Sequence, residues 1–155
     1  MKLSAAGLGF LKRRESCKLI AYLDSAGVWT IGYGTIRIDG HPVTKGMVIT
    51  QDQADHYLAE ECDEKLAAVL LLLHGVPVTQ NQLDALVSFA YNEGIGGLSS
   101  STLLREIRNN RPIVLDYFTR WNKIKDPKTG KLVSCQGLTN RRIMEFDMYS
   151  TGVYA

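Results

Sequence analysis

The chain lacks a long apolar run, a strong charge of either sign, a cluster of histidines and an even set of cysteines. Each shortage closes off a class of function. Its densest apolar stretch, Leu66 to Leu73, is far below the ~18 residues that a membrane span requires. Eighteen Lys and Arg against 16 Asp and Glu leave a formal charge of +2, too small to argue for a nucleic-acid partner. The three histidines, His41, His56 and His74, are too scattered for a catalytic zinc site, so no metal or other cofactor is expected. Cys17, Cys62 and Cys135 show no metal-ligand spacing. An odd number argues against a complete disulfide framework and fits synthesis in a reducing compartment. Gly32-Tyr33-Gly34 lacks the third glycine and the following helix of a dinucleotide loop. No repeat occurs at solenoid periods, and Leu3 to Leu11, broken by Ser4, Gly7 and Gly9, does not read as a signal peptide.

What is present is ordinary globular material, 45% hydrophobic and 22% charged over 155 residues. A chain of that length buries roughly 70% of its unfolded surface and needs no staples. Leu3 to Arg14 reads as a short helix whose last turn gathers Lys12, Arg13 and Arg14, where cations suit the dipole. These three are expected to face solvent. Thr50 with Gln53 reads as a capping box opening a long helix towards His74-Gly75, where a glycine ends it. Its stripe includes Cys62, which reads as a small core residue. Thr79 with Gln82 repeats the box, and Leu83, Leu86, Val87 and Ala90 keep helical spacing until Gly94, Gly96 and Gly97 end the run. Shorter helices are expected from about Ser101 to Asn109 and from Pro112 to Trp121, with Pro112 at a first helical position. Asp126 to Gly130 marks an exposed turn. A last helix starts near Leu138 and carries Ile143, Phe146 and Tyr149. The expected class is α+β, mostly helical with one small antiparallel sheet near the N-terminus.

The chemistry concentrates between Glu15 and Thr35. Two carboxylates, Glu15 and Asp24, and the Thr30 hydroxyl are the parts needed to break a glycosidic bond. Nine residues of continuous helix would turn Glu15 and Asp24 to roughly opposite faces, so they converge only if the chain leaves the helix and folds back. Tyr22-Leu23-Asp24 and Val28 to Ile31 are β-compatible, and Ser25-Ala26-Gly27 between them is a turn signal. A hairpin there sets Asp24 and Thr30 near each other, with Glu15 at the end of the preceding helix. Taken singly, Glu15 is a surface acid, Asp24 a turn opener and Thr30 a good strand residue. It is their coupled spacing that suggests a site.

That spacing, with Thr30-Ile31-Gly32-Tyr33-Gly34 after it, resembles the catalytic signature of phage-type lysozymes, the endolysins of glycoside hydrolase family 24. The likeness continues in Asn81 to Phe89, Tyr91-Asn92-Glu93-Gly94, Ser101-Thr102-Leu103-Leu104 and Gly137 to Arg142 with Glu145, and so covers nearly the whole chain. Two positions depart from the family pattern: Ser16 stands where glycine usually follows the glutamate, and Thr35 where histidine usually follows the sheet's glycines.

The resemblance implies a single lysozyme-like domain over 1–155. It would comprise a small sheet-bearing lobe at about 15–50, a linking helix at about 50–74, and a helical lobe at about 75–155 packed with the N-terminal helix. It implies a monomeric muramidase that cuts the β-1,4 bond between N-acetylmuramic acid and N-acetylglucosamine in bacterial peptidoglycan and lyses the host for phage release. Glu15 would donate a proton to the leaving oxygen from a partly desolvated cleft, while Asp24 and Thr30 position the attacking water, with inversion at the anomeric carbon. The alternatives are a lytic transglycosylase that leaves anhydro ends, or a catalytically impaired wall-binding protein. No nucleic-acid partner and no stable membrane insertion are expected. Such a protein would wait in the host cytoplasm for a separate holin-type protein, then act on the wall in the periplasm. Cys17, two residues from Glu15, could block the site if oxidised, as a cysteine near the site does in some membrane-travelling relatives; packing is its ordinary reading.

Overall fold

In a computed structural model describing residues 1–155, the first helical run is α1, Ala5–Arg14. The chain then turns into β1 (Lys18–Leu23) and β2 (Trp29–Gly32), which pair antiparallel with Tyr22 opposite Thr30 and Leu23 opposite Trp29. A short second hairpin follows, β3 (Arg37–Ile38) and β4 (His41–Pro42). Its two-residue turn is Asp39-Gly40, both at positive φ (49° and 77°), the conformation that suits the twist of a tight hairpin. Val48 bridges Ile20, with Ala21 N–H donating to Met47 O and Ile49 N–H to Leu19 O. Next come α2 (Gln51–Leu73), α3 (Gln80–Ser100), α4 (Thr102–Arg108) and α5 (Leu115–Thr119), then a hairpin of β5 (Lys123–Lys125) and β6 (Leu132–Ser134), and finally α6 (Gln136–Thr151).

Contacts divide the chain into two compact units, Leu8–Glu64 and Met1–Gly7 with Lys65–Ala155. Both α1 and the 23-residue α2 cross that boundary. In the first unit the hairpins and helix ends close over Phe10, Leu11, Ile31, Val43, Ile49, Leu58 and Cys62, all buried. Cys62 is the core residue its stripe predicts. Burial, and the nearby Glu61, Asp63 and Glu15 charges, push its thiol up to about 12. The α2 box forms as read, with Thr50 N–H donating to Gln53 Oε1 (2.9 Å) and Gln53 N–H to Thr50 Oγ1 (3.2 Å).

In the second unit α3 and α6 pack along the core with α5 against α6. Phe89 meets Phe118 and Trp121 edge-on, at centroid distances of 6.0 and 5.6 Å. The buried Asp84 carboxylate ties the chain ends together, accepting from Ser4 Oγ and N–H, from Gln80 Nε2 (2.8 Å) and from the Tyr154 hydroxyl (2.7 Å).

Four sequence expectations need correcting. Gly94 does break the α3 backbone (φ 80°, ψ 159°), but helix resumes and runs to Ser100. Ser99 and Ser100 hydroxyls bond back to Gly96 O, supporting that last segment. Helix α5 begins at Leu115 with Val114 as its cap, because Pro112, Ile113 and Val114 stay outside the helix. The sheet structure is three two-stranded pieces rather than one, the β5–β6 hairpin forming around the expected Asp126–Gly130 turn. Lys12 is not simply solvated: its ammonium sits 2.6 Å from Asp55 Oδ2.

Candidate active site

Each of the three expected site residues lies in the Leu8–Glu64 unit. Glu15 is the first residue beyond α1. Its N–H closes the last turn on Leu11 O at 2.9 Å, and the chain then leaves the helix, as the spacing to Asp24 requires. Its side chain is half-buried. Ser16 is outside the set of non-glycine residues at positive φ, which is Asp39, His74 and Asn110. Serine therefore costs nothing in backbone strain at this position.

Asp24 opens the β1–β2 turn. Its Oδ1 accepts from Ala26 N–H (2.9 Å) and Val28 N–H (2.8 Å), while its own N–H donates to Val28 O and its carbonyl accepts from Gly27 N–H. This is an Asx-type turn, and it commits Oδ1 to the backbone. Oδ2 is the oxygen left to take a proton from water. The turn-opening and water-handling readings of Asp24 thus use different atoms.

Thr30 is buried, 4% exposed, on β2. Its hydroxyl donates to Val28 O at 3.0 Å, so a water held there would donate to Thr30 Oγ1. The Val28 backbone is shared: its N–H holds Asp24 and its carbonyl holds Thr30. The hairpin brings Asp24 and Thr30 together through that one residue. Thr35, buried at the end of the following turn, exchanges both backbone hydrogen bonds with Ile31 (2.9 Å each).

A supporting network not anticipated from the sequence lies at the start of α2. Asp55 accepts from Lys12 Nζ, from the Tyr33 hydroxyl (3.0 Å) and from Gln51 Nε2 (2.8 Å). Tyr33 is buried with its hydroxyl engaged, so it holds the loop rather than offering a face for sugar stacking. Cys17 is a free thiol 3.9 Å from Gln51 Oε1. The Lys12 hydrogen bond, with those of Gln51 and Tyr33, holds the Asp55 carboxyl below the usual carboxylate range against a smaller push from burial. A depressed acid stabilises the fold above its unfolded value of about 3.9, and that contribution is lost as pH falls through its lower folded value. Asp55→Asn should therefore lower the melting temperature at pH 7, with the gap to wild type closing below about pH 4. Melting curves by circular dichroism across that range check this, and a gap independent of pH would refute the assignment.

A family model described as Phage lysozyme matches residues 12–145. The chain belongs to the phage lysozyme family. Among curated relatives of this family member, the endolysin of Acyrthosiphon pisum secondary endosymbiont phage 1 is 37% identical over 97% of this chain and 99% of its own. The endolysin of Bacillus phage B103 is 39% identical over 98% of this chain, which spans 55% of that relative's length. The solved endolysin of Escherichia coli O157:H7 phage FAHEc1 superposes with a TM-score of 0.91 at 46% identity, covering 100% of this chain and 97% of that one. The family, the lysozyme-like α+β fold and the lysozyme enzyme type expected from the sequence are shown by these matches. No helix of this phage lysozyme family chain is long and apolar enough to cross a membrane.

The family match also revalues its other motifs. Asn92, Glu93, Arg142 and Glu145, all quoted for the resemblance, prove to be one polar cluster in which Arg142 and Glu145 are buried, Glu93 is half-buried and Asn92 is exposed. Arg142 Nη1 donates to Glu93 Oε1 (2.6 Å) and Nη2 to Asn92 Oδ1 (3.0 Å) and Glu145 Oε1 (3.0 Å). These motifs hold the α3–α6 packing together.

Proposed function

We propose that this protein is an endolysin that hydrolyses the β-1,4 bond between N-acetylmuramic acid and N-acetylglucosamine in peptidoglycan. Glu15 is the general acid that protonates the leaving oxygen. Asp24 Oδ2 and Thr30 Oγ1 hold the attacking water and accept its hydrogens, and the Asp24 charge offsets positive charge on the sugar ring. The observation that carries this reading is the shared backbone of Val28. It fixes Asp24 and Thr30 as a pair with one unused acceptor each, directly downstream of a glutamate that ends its helix.

A water on the face opposite the acid implies inversion, so the fresh reducing end should be the α-anomer by proton NMR. The chain works as a monomer, a single lysozyme-like domain of two lobes. It reaches the wall from the host cytoplasm once a separate membrane-permeabilising protein opens the way. Mass spectrometry of muropeptides released from purified peptidoglycan tests the activity. Reducing ends are expected, in proportion to enzyme and time. Anhydro ends would identify a transglycosylase, in which the substrate's own hydroxyl displaces the leaving group. Retention on peptidoglycan without any product would identify a wall-binding protein.

A further inference from the structure

The β5–β6 hairpin plays no part in the chemistry above. All six strand residues are exposed, and the strands pack chiefly on each other. A two-stranded hairpin with both faces in water is only marginally stable by itself. This one is kept by its base and its turn. Cys135 N–H donates to Asn122 O, and Asn122 Nδ2 donates to Thr139 Oγ1. At the other end Gly130 N–H donates to Asp126 O.

Residues 123–134 hold four lysines, Lys123, Lys125, Lys128 and Lys131, against one acid, Asp126. That acid is already used: its carboxylate accepts from Lys128 N–H (2.9 Å) and Thr129 Oγ1 (2.8 Å). Among the lysines, Lys123 bonds Ser134 Oγ. Between the cations stand exposed aliphatic side chains, Leu132 at 71%, Ile124 at 44% and Val133 at 39%. Register sets Ile124 opposite Val133 on one face of the ribbon, and Lys123 opposite Ser134 and Lys125 opposite Leu132 on the other, so both faces of the projecting ribbon carry aliphatic tips and the cations flank them. Aliphatic tips framed by lysines suit the boundary between phosphate headgroups and acyl chains. A glycan strand would give the aliphatic groups no partner, and the hairpin carries no aromatic ring for stacking on sugars.

We propose that the β5–β6 hairpin is a peripheral docking element for an anionic phospholipid surface. The ribbon enters the headgroup layer edge-on, its lysines meeting lipid phosphates while Ile124 and Val133 on one face and Leu132 on the other reach the apolar boundary. Binding is reversible and needs no membrane-spanning segment.

The test is co-sedimentation of the full chain with phosphatidylcholine vesicles, with and without about 30% phosphatidylglycerol, a typical anionic surface. Wild type should partition to the anionic vesicles only, and salt at about 0.5 M, roughly three times physiological, should release it. Each lysine near such a surface is worth about fivefold. Lys125→Gln/Lys128→Gln/Lys131→Gln together should therefore weaken partitioning roughly a hundredfold. Product release from purified peptidoglycan by the triple variant should be unchanged, which keeps this test separate from that of the proposed function. Equal binding of wild type to neutral and anionic vesicles would overturn the proposal, as would a triple variant that binds like wild type. A triple variant that loses affinity for purified peptidoglycan while keeping vesicle binding would overturn it too, and would make the hairpin a wall contact.

Discussion

Glu15→Gln is expected to abolish muropeptide release while leaving the fold and its melting temperature nearly unchanged. Glutamine keeps the volume and hydrogen-bonding shape of the side chain but has no acidic proton to give the leaving oxygen. General acid catalysis is worth about 10²–10⁴-fold, so at least that loss is expected. The fold should tolerate the change because what closes α1 at this position is the backbone, Glu15 N–H on Leu11 O. A half-exposed substitution of equal size costs within about 0.5 kcal/mol. Asp24→Asn is the companion test. Asparagine Oδ1 can still accept from Ala26 and Val28 N–H, so the turn survives while the charge beside the water disappears. Loss of hydrolysis in both variants, with unchanged circular dichroism, would assign the two carboxylates. Near-normal turnover by Glu15→Gln would remove Glu15 from the chemistry and with it the proposed mechanism.

Why some of this was legible from the residues and some was not follows from the range of the interactions involved. The helix exit at Glu15, the turn at Asp24 and the boxes at Thr50 and Thr79 are local. Each is built from groups within a few residues, so spacing alone exposes them; Thr79 N–H does donate to Gln82 Oε1 at 2.9 Å. The His74-Gly75 stop is local in the same way, both residues lying at positive φ. The failures have partners far away in sequence. Three glycines at 94, 96 and 97 announce a helix end. The chain bends at Gly94 and carries on while a guanidinium some 50 residues downstream holds Asn92 and Glu93. Helical spacing alone gives Asp55 no distinguishing mark. Its role depends on Lys12 and Tyr33 arriving from 43 and 22 residues away. The β5–β6 hairpin escaped notice for another reason: strands of three residues with no buried face leave no alternation to detect. As for the site, the residue types and their order were readable, but not that the turn engages Asp24 Oδ1 alone.

Arg142→Met is expected to be the most destabilising single change in the helical unit. The guanidinium is wholly buried, 4.9 Å above the Phe89 ring, with Nε 2.8 Å from Glu145 Oε2 as well as the bonds to Glu93 and Asn92. Glu145 is also wholly buried and is shared with Ser88 Oγ (2.7 Å) and Arg141 Nε (3.2 Å). Methionine fills much of the space but leaves the Glu145 carboxylate with less compensation in the core. Removing one partner of a buried ion pair typically costs about 3–5 kcal/mol, or roughly 6–20 °C in melting temperature for a chain of this size. Burial already pushes the Glu145 carboxyl up, against the pull of Arg142 and Arg141. Without Arg142 it rises further, so the folded variant takes up a proton that the unfolded chain, near about 4.3, does not. The loss of stability should accordingly be largest at neutral pH and shrink as pH falls towards that unfolded value. Adding Glu145→Leu to Arg142→Met should recover part of the loss, since a buried pair exchanged for apolar groups is often neutral. Denaturant melts of the two single variants and the double, at pH 7 and pH 5, measure all of this. A loss under about 1 kcal/mol, or strict additivity of the two substitutions, would show that the cluster does not hold α3 to α6.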